Sequence, residues 1–307
     1  MIQTHGYAAQ SAASALAPFT FERREPGPHD VQIEILYCGI CHSDLHQARN
    51  DWSNSLYPMV PGHEIVGRVA KVGPQVTKLK VGDHAGVGCM VDSCRHCSAC
   101  EDGLEQYCEE GATWTYNGKE RTGDRLTFGG YSERIVVDER FVIGIPDGLD
   151  LKAVAPLFCA GITTYSLLRH WGVGEGQKVG VIGLGHMGVK FAKAFGAKVV
   201  MITTSPGKAA DALLSTDRAA MAKQAGSFHF LLDTVPNGHD LNPYAALLKR
   251  DGTLVLTALE PALRGISLIG GRRRVAGSAI DGIARARLAE RWGSRFSFSA
   301  VDSIATA

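Results

Sequence analysis

Four closely spaced cysteines constrain this chain more than any other feature. Two residues separate Cys94, Cys97 and Cys100 from one another, and seven more separate Cys100 from Cys108. Two-residue gaps let a turn aim successive sulfurs at one centre, which favours tetrahedral coordination of Zn²⁺ by four thiolates. A redox pair or an iron-sulfur cluster is the alternative, but no proline follows the last cysteine. We expect a structural zinc that folds residues 89–118 and does no chemistry, because a closed four-sulfur shell leaves no position for substrate.

Composition and charge limit the possible partners. The 307 residues include 32 Lys+Arg and 31 Asp+Glu, and the formal net charge is +1. This balance does not favour a nucleic acid or an anionic membrane surface, so we expect a small-molecule substrate. No run of roughly 18 apolar residues predicts a membrane span, and residues 1–19 lack the basic and apolar segments of a secretory signal. We therefore expect a cytoplasmic protein.

A second metal site is suggested by residues that lie far apart in sequence. Cys41, His63 and Cys159 together would offer two thiolates and an imidazole, leaving a fourth tetrahedral position open, as in catalytic zinc sites. Their spacing in the sequence does not show that they meet in the fold. Each could instead be an ordinary core residue or be paired with another side chain. Asp44 could accept the second N–H of the imidazole, and Glu64 could act as a transient ligand or as a nearby charge.

Two other cysteines, Cys38 and Cys89, have no partner in these patterns. Buried free cysteines usually behave as small apolar residues. We expect both to pack in the core.

The second half of the chain predicts a dinucleotide-binding unit. Residues 178–183 form an apolar run that leads into Gly183, Gly185 and Gly188, then a helical pattern, then a second apolar run at 198–203. In such a βαβ unit the glycines let a pyrophosphate approach backbone N–H groups at the helix N-terminus. A plain tight turn is the alternative for an isolated motif. Further strands of the same sheet are predicted at 228–235, 252–259 and 273–280.

The residues after the second strand predict the cofactor. An NAD-specific site carries an acid there, but this chain has Thr203, Thr204, Ser205 and then Lys208. Hydroxyls and an ammonium group suit a 2′-phosphate, which a carboxylate would repel. Asp211 lies further along, so we expect NADP(H).

These motifs together resemble the medium-chain, zinc-dependent alcohol dehydrogenases, most of all their cinnamyl-alcohol-dehydrogenase-like branch. The matching stretches are CGICHSDLH, PGHE, the four-cysteine segment, PLFCAGITTYS and TTSPGK, in that order. The resemblance implies an α/β chain with a GroES-like, β-rich catalytic domain at 1–145 and a shortened Rossmann domain, a doubly wound parallel sheet, at 146–280. Residues 281–307 would be a truncated or divergent return to the catalytic domain. Relatives commonly form dimers, so we expect a homodimer.

The resemblance also implies a role for each matching residue. Cys41, His63 and Cys159 would bind the catalytic zinc with Glu64 beside them, and Ser43 and His46 would relay protons. His42 matches a position near the cofactor phosphates, and Thr163 matches one near the nicotinamide. The positions that line the substrate pocket in the family are occupied by Trp52, Leu56 and Trp114.

The sequence is compatible with two functions. The first is an NADP(H)- and zinc-dependent oxidoreductase that interconverts primary alcohols and aldehydes by hydride transfer. The second is a zinc-stabilised, catalytically impaired homologue that acts as a nucleotide-binding or interaction module. The second is motivated by the motif GLGHMG, about three residues shorter than in relatives, and by the divergent C-terminal segment.

The cofactor assignment gives a first prediction. Lys208→Glu should weaken binding of NADPH far more than binding of NADH, because a carboxylate repels the 2′-phosphate that the ammonium attracts. Titration of both cofactors measures the change, and an unaltered preference would contradict the assignment.

Overall fold

In the computed structural model, the chain divides into two units, Met1–Cys159 and Ala160–Ala307. The structure describes residues 1–183, 185–205, 207, 212–236, 238–257 and 274–277. Lys208, Asp211 and the expected return segment at 281–307 lie outside the described residues.

A five-stranded antiparallel sheet forms the centre of the first unit, in the order β8-β3-β4-β5-β9. Two further pairs of antiparallel strands, β1-β2 and β6-β7, each form a separate two-stranded sheet. The strands are β1 Ile2–Ala8, β2 Ala17–Arg23, β3 Asp30–Cys38, β4 Ile65–Val72, β5 His84–Val87, β6 Met90–Asp92, β7 Thr113–Trp114, β8 Arg134–Asp138 and β9 Ile143–Gly144. The helices are α1 His42–Ala48, α2 Ser98–Glu101 and α3 Leu151–Val154, with 3-10 turns at Glu105–Tyr107, Glu139–Phe141 and Ala155–Phe158.

Alternation along β3 explains which face of this sheet is buried. Val31 and Ile33 have no exposed surface, whereas Glu34, the next residue along β3, is exposed. β4 is the central strand, and it buries Ile65, Val66 and Val69. The alternation on β3 between Val31 and Leu36 is typical of a sheet with one face in the core. On β4 the adjacent residues Ile65 and Val66 are both buried, so the start of this central strand is covered on both faces.

The second unit contains a six-stranded, all-parallel sheet in the order β12-β11-β10-β13-β14-β15. Its strands are β10 Lys178–Ile182, β11 Lys198–Thr203, β12 Leu213–Leu214, β13 Phe228–Asp233, β14 Leu248–Leu256 and β15 Arg274–Gly277. Its helices are α4 Ala160–His170, α5 His186–Ala194, α6 Arg218–Lys223 and α7 Asn242–Ala245. The strands predicted near 178, 198, 228, 252 and 273 are confirmed, and so is the doubly wound α/β class.

Burial along the parallel strands is nearly continuous. Val179, Val181, Leu231 and Leu254 are fully buried in the middle of the sheet. Parallel strands covered on both faces have such apolar runs, because helices pack on either side. No described helix is by itself long and apolar enough to cross a membrane, and one bent pair, 151–158 with 160–170, meets that test only together.

A close approach in the first unit gives a second prediction. A Cβ added to Gly86 on β5 would lie 2.0 Å from Cζ of Phe158, the residue before Cys159. Gly86→Ala should therefore lower the free energy of unfolding by about 1–3 kcal/mol, because the ring must move in a packed core. The matched control is Gly144→Ala on β9, where the added Cβ meets only Leu79 Cδ2 at 3.6 Å. Urea unfolding measures both, and equal losses would contradict the packing argument.

Candidate metal centre

The ends of three neighbouring strands bring distant residues together in the first unit. Cys38, the last residue of β3, pairs with Ile65, the first of β4, and Ile65 pairs with Val87, the last of β5. Cys41 follows this row by three residues, and His63 precedes it by two. Strand register therefore places two segments that are separate in sequence at one edge of the sheet.

Cys41, His63 and Cys159 converge at this edge. One ligand atom from each residue lies within 4.8 Å of the other two, and the Sγ atoms of Cys41 and Cys159 are 3.8 Å apart. Two sulfurs bound tetrahedrally to zinc at roughly 2.3 Å would be separated by about 3.8 Å. The three residues thus fit a zinc ion and leave its fourth position to another group.

Asp44 forms hydrogen bonds with the two segments that carry Cys41 and His63. Its carboxylate accepts hydrogen bonds from the backbone N–H of Cys41 at 2.9 Å and of Gly62 at 2.9 Å. It also accepts from Nδ1 of His63 at 3.1 Å and from the hydroxyl of Tyr131 at 3.2 Å. Because Nδ1–H of His63 donates to Asp44, Nε2 is the nitrogen left to bind a metal.

Burial and neighbouring groups control the protons of this cluster. The hydrogen bond with Cys159, together with burial, raises the pKa of the Cys41 thiol to about 12. For Asp44, burial opposes the negative charge, but the hydrogen bond from His63 and its charge outweigh it, and the pKa is lowered. Zinc binding would therefore displace protons from the thiols, while Asp44 already carries the charge that orients the imidazole.

Glu64 is not part of the mutually close set of ligand atoms. The residue is buried at 3% exposure, and its Oε2 lies so close to Gly39 that a Cβ there would be 2.0 Å away. Its role beside the metal stays a prediction.

Sequence reasoning missed Cys89, which it assigned to the core with Cys38. The hydrogen bond with Cys159 and the charge of His63 lower the pKa of the Cys89 thiol to about 6, although burial raises it. Cys89 lies near these residues because it follows Val87 by two positions and so leaves β5 at the same row of strand ends. Only the strand register, which the sequence does not give, could have indicated this.

Helix α1 carries the polar residues next to the cluster. The His46 ring stacks on His42 with centroids 4.7 Å apart, and it lies 5.4 Å from the Trp52 ring. Nδ1 of His46 is 2.8 Å from Oδ2 of Asp51, whereas its buried Nε2 has no partner among the described residues. Ser43 is half-buried on the first turn of the same helix. Asp51 was not anticipated from the sequence.

The expected pocket residues Leu56 and Trp114 lie on segments that hydrogen bonds connect. Asn117, three residues after Trp114, accepts from the backbone N–H of Leu56 at 2.7 Å and donates to the carbonyl of Asn54 at 3.3 Å. The side chains of Trp52, Leu56 and Trp114 are between 36% and 39% exposed. They are thus available to contact a ligand.

The four-cysteine segment forms a lobe between β6 and β7. The sulfurs of Cys94, Cys97, Cys100 and Cys108 all lie within 4.8 Å of one another, and the Sγ atoms of Cys94 and Cys100 are 3.8 Å apart. Backbone N–H groups donate to these sulfurs. The N–H of Glu109 donates to Cys97 Sγ, and this hydrogen bond is the largest cause that lowers the pKa of Cys97 to about 6. The lobe therefore fits the closed zinc site predicted from the spacing.

The glycine-rich turn of the second unit lies between β10 and α5. Gly183 has a φ of +90°, which glycine adopts without strain. Added Cβ atoms would lie 2.6 Å from Thr234 at Gly185 and 2.8 Å from Leu232 at Gly188. The three glycines thus let α5 begin close against the end of β13, as the strand-turn-helix pattern predicts.

The predicted cofactor residues that follow β11 are only partly described. Thr203 is buried, Thr204 is exposed, and the N–H of Ser205 donates to Oγ1 of Thr203 at 3.2 Å. Thr163 is half-buried on α4. Their contacts with a cofactor stay predictions.

Family models match both units of the chain. The alcohol dehydrogenase GroES-like domain matches residues 27–147, and the zinc-binding dehydrogenase domain matches residues 183–292. The two matches agree with the β-rich and parallel-sheet units of the structure.

Three similar proteins are named as reductases or dehydrogenases. Aldehyde reductase YahK of Escherichia coli (strain K12) is 53% identical over 292 residues, which cover 90% of this chain and 83% of that protein. NADP-dependent alcohol dehydrogenase C 1 of Mycolicibacterium smegmatis is 50% identical over 298 residues, 92% of this chain and 85% of that protein. The structure of a cinnamyl alcohol dehydrogenase from Sorghum bicolor superposes with a TM-score of 0.85 at 42% identity, covering 95% of this chain and 88% of that one.

The contacts of Asp44 give a third prediction. Asp44→Asn should weaken zinc binding at Cys41, His63 and Cys159 by about 10- to 100-fold, because the carboxylate orients the imidazole and two backbone segments. The matched control, Tyr131→Phe, removes one hydrogen bond from Asp44 and leaves the other three, so it should cost much less. Competition with a chromogenic chelator measures both, and equal affinities in wild type and Asp44→Asn would contradict the role.

Proposed function

Because the chain belongs to the zinc-dependent medium-chain alcohol dehydrogenase family, in its cinnamyl-alcohol-dehydrogenase-like branch, we propose that it is an NADP(H)- and zinc-dependent oxidoreductase. It would interconvert primary alcohols and aldehydes by hydride transfer. The observation that carries the proposal is the convergence of Cys41, His63 and Cys159, in which the two cysteine sulfurs are 3.8 Å apart. This set can hold zinc with one position open to a substrate oxygen.

Two bound groups would supply the central chemistry. Zinc would act as a Lewis acid toward the substrate oxygen, and the nicotinamide would accept or donate the hydride. Cys41, His63 and Cys159 would hold the catalytic ion, and Cys94, Cys97, Cys100 and Cys108 would hold a structural one. Glu64 would act beside the catalytic set as a nearby charge or a transient ligand.

The protein itself would move the proton. In alcohol oxidation, the Ser43 hydroxyl would accept the proton of the substrate hydroxyl and pass its own to Nε2 of His46. That nitrogen is buried and without a partner among the described residues, so it is open to such a donor. Asp51, 2.8 Å from Nδ1 of His46, would stabilise the imidazolium that forms. Aldehyde reduction would run the same transfers in reverse.

The remaining site residues would bind and orient the two reactants. Trp52, Leu56 and Trp114 offer exposed apolar surface for the carbon chain of the substrate. Gly183, Gly185 and Gly188 would admit the cofactor pyrophosphate, with His42 at the phosphates and Thr163 at the nicotinamide.

The residues after β11 favour a cofactor with a 2′-phosphate. Thr203, Thr204, Ser205 and Lys208 include no carboxylate that would repel a 2′-phosphate. The name of the Mycolicibacterium smegmatis relative supports the same choice. We therefore propose NADP(H) rather than NAD(H).

We also propose a domain organisation and an oligomeric state. A catalytic domain at 1–145 and a cofactor domain at 146–280 would assemble as a cytoplasmic homodimer. The catalytically impaired alternative has no support from the relatives, which are named as reductases and dehydrogenases. Of the shortened motif GLGHMG, Gly183 and Gly185 lie between β10 and α5, and Gly188 lies in the first turn of α5.

A fourth prediction tests the activity and the division of metal roles. The wild-type protein should contain two zinc ions per chain and oxidise NADPH in the presence of aromatic or aliphatic aldehydes. Cys159→Ser should lower turnover by about 100-fold or more, because it removes a ligand of the reacting centre, with little effect on folding. Cys94→Ser should chiefly lower the thermal stability of the lobe.

Steady-state rates, metal analysis and thermal unfolding on the same samples separate these effects. One zinc per chain without NADPH binding would contradict the proposed activity. Equal and mild effects of the two substitutions would contradict the assignment of one catalytic and one structural ion.

A further inference from the structure

A histidine and a glutamate lie beside the four-cysteine site without belonging to it. The Sγ of Cys94, one ring nitrogen of His96 and one carboxylate oxygen of Glu110 all lie within 4.8 Å of one another. The side chains of His96 and Glu110 are 69% and 49% exposed. A set of metal-binding groups therefore faces solvent next to a four-cysteine site in which Cys100 and Cys108 are buried and Cys97 is half-buried.

The hydrogen bonds of His96 define which nitrogen is available. Nδ1 lies 2.9 Å from the carbonyl oxygen of Cys94, and because a carbonyl only accepts, Nδ1 carries the hydrogen. A metal-binding histidine typically uses its second nitrogen in this way. Nε2 is therefore the nitrogen left to bind a metal ion.

The available nitrogen faces a carboxylate. Nε2 of His96 is 3.0 Å from Oε1 of Glu110. Ligands of a tetrahedral zinc at roughly 2.0–2.1 Å would lie about 3.3 Å apart, close to the observed separation. The other oxygen of Glu110 is paired with Arg121, which also donates to the carbonyl of Gly111 at 2.8 Å. Oε1 is thus held toward His96.

We propose that Cys94, His96 and Glu110 form an entry site that takes zinc from solution and passes it to the four-cysteine site. Cys94 belongs to both sets of ligands, so the ion can move between them while one bond is kept. His96, Glu110 and bound water would release the ion as the thiolates of Cys97, Cys100 and Cys108 bind it. The thiol protons would pass to solvent.

Metal exchange in the intact, zinc-loaded protein tests the entry site. The protein is incubated with excess ¹¹³Cd²⁺, and cadmium NMR follows the signal of the four-sulfur site, which is resolved from that of a two-sulfur, one-nitrogen site. We expect His96→Ala and Glu110→Gln each to slow the appearance of this signal by about 10-fold or more. Glu101→Gln is the matched control, since Glu101 is an exposed carboxylate of the same lobe outside the ligand set.

The comparison is made among variants with equal initial zinc content and equal circular dichroism, and Glu110→Gln is the more conservative substitution if His96→Ala folds poorly. Exchange at the wild-type rate in both variants would overturn the proposal and leave His96 and Glu110 as a surface ion pair. Equal slowing in Glu101→Gln would also overturn it, because the effect would then follow from general surface charge. The readout does not depend on catalytic activity, so it stands apart from the test of the proposed function.

Discussion

The carboxylate of Asp44 is the interaction on which the first unit's site depends. It is 2% exposed and binds the backbone on both sides of the cluster, at Cys41 and Gly62, together with the ring of His63. A buried carboxylate is costly unless donors surround it, and here those donors belong to the segments that carry the proposed zinc ligands. The charge that fixes the imidazole thus also fixes the position of the Cys41 segment.

Strand register explains why this carboxylate finds its partners. The paired ends of β3, β4 and β5 place Cys41, His63 and Cys89 at one edge of the sheet. Phe158 packs against Gly86 of β5 and thereby brings Cys159 to the same edge. The proposed chemistry therefore rests on the packing of an ordinary antiparallel sheet as much as on the ligands.

Local patterns predicted more from the sequence than long-range ones did. The spacing of Cys94, Cys97 and Cys100 gave the lobe directly, because a turn decides where neighbouring sulfurs point, and the apolar runs gave the parallel strands. The meeting of Cys41 with Cys159 needed the family resemblance, since no local rule relates residues 118 positions apart. The positions of Cys89, Asp51 and Asn117 near the site were not predicted, because strand register and loop hydrogen bonds, not residue type, determine them.

Anomalous X-ray scattering at the zinc edge, from crystals of the purified protein, shows directly whether each chain binds zinc at two separate centres. We predict two anomalous peaks per chain, one of them within bonding distance of the sulfurs of Cys41 and Cys159 and of Nε2 of His63. The other peak should lie among the four sulfurs of the lobe. A map with density only in the lobe, or with Cys41, His63 and Cys159 too far apart to share one ion, would contradict it.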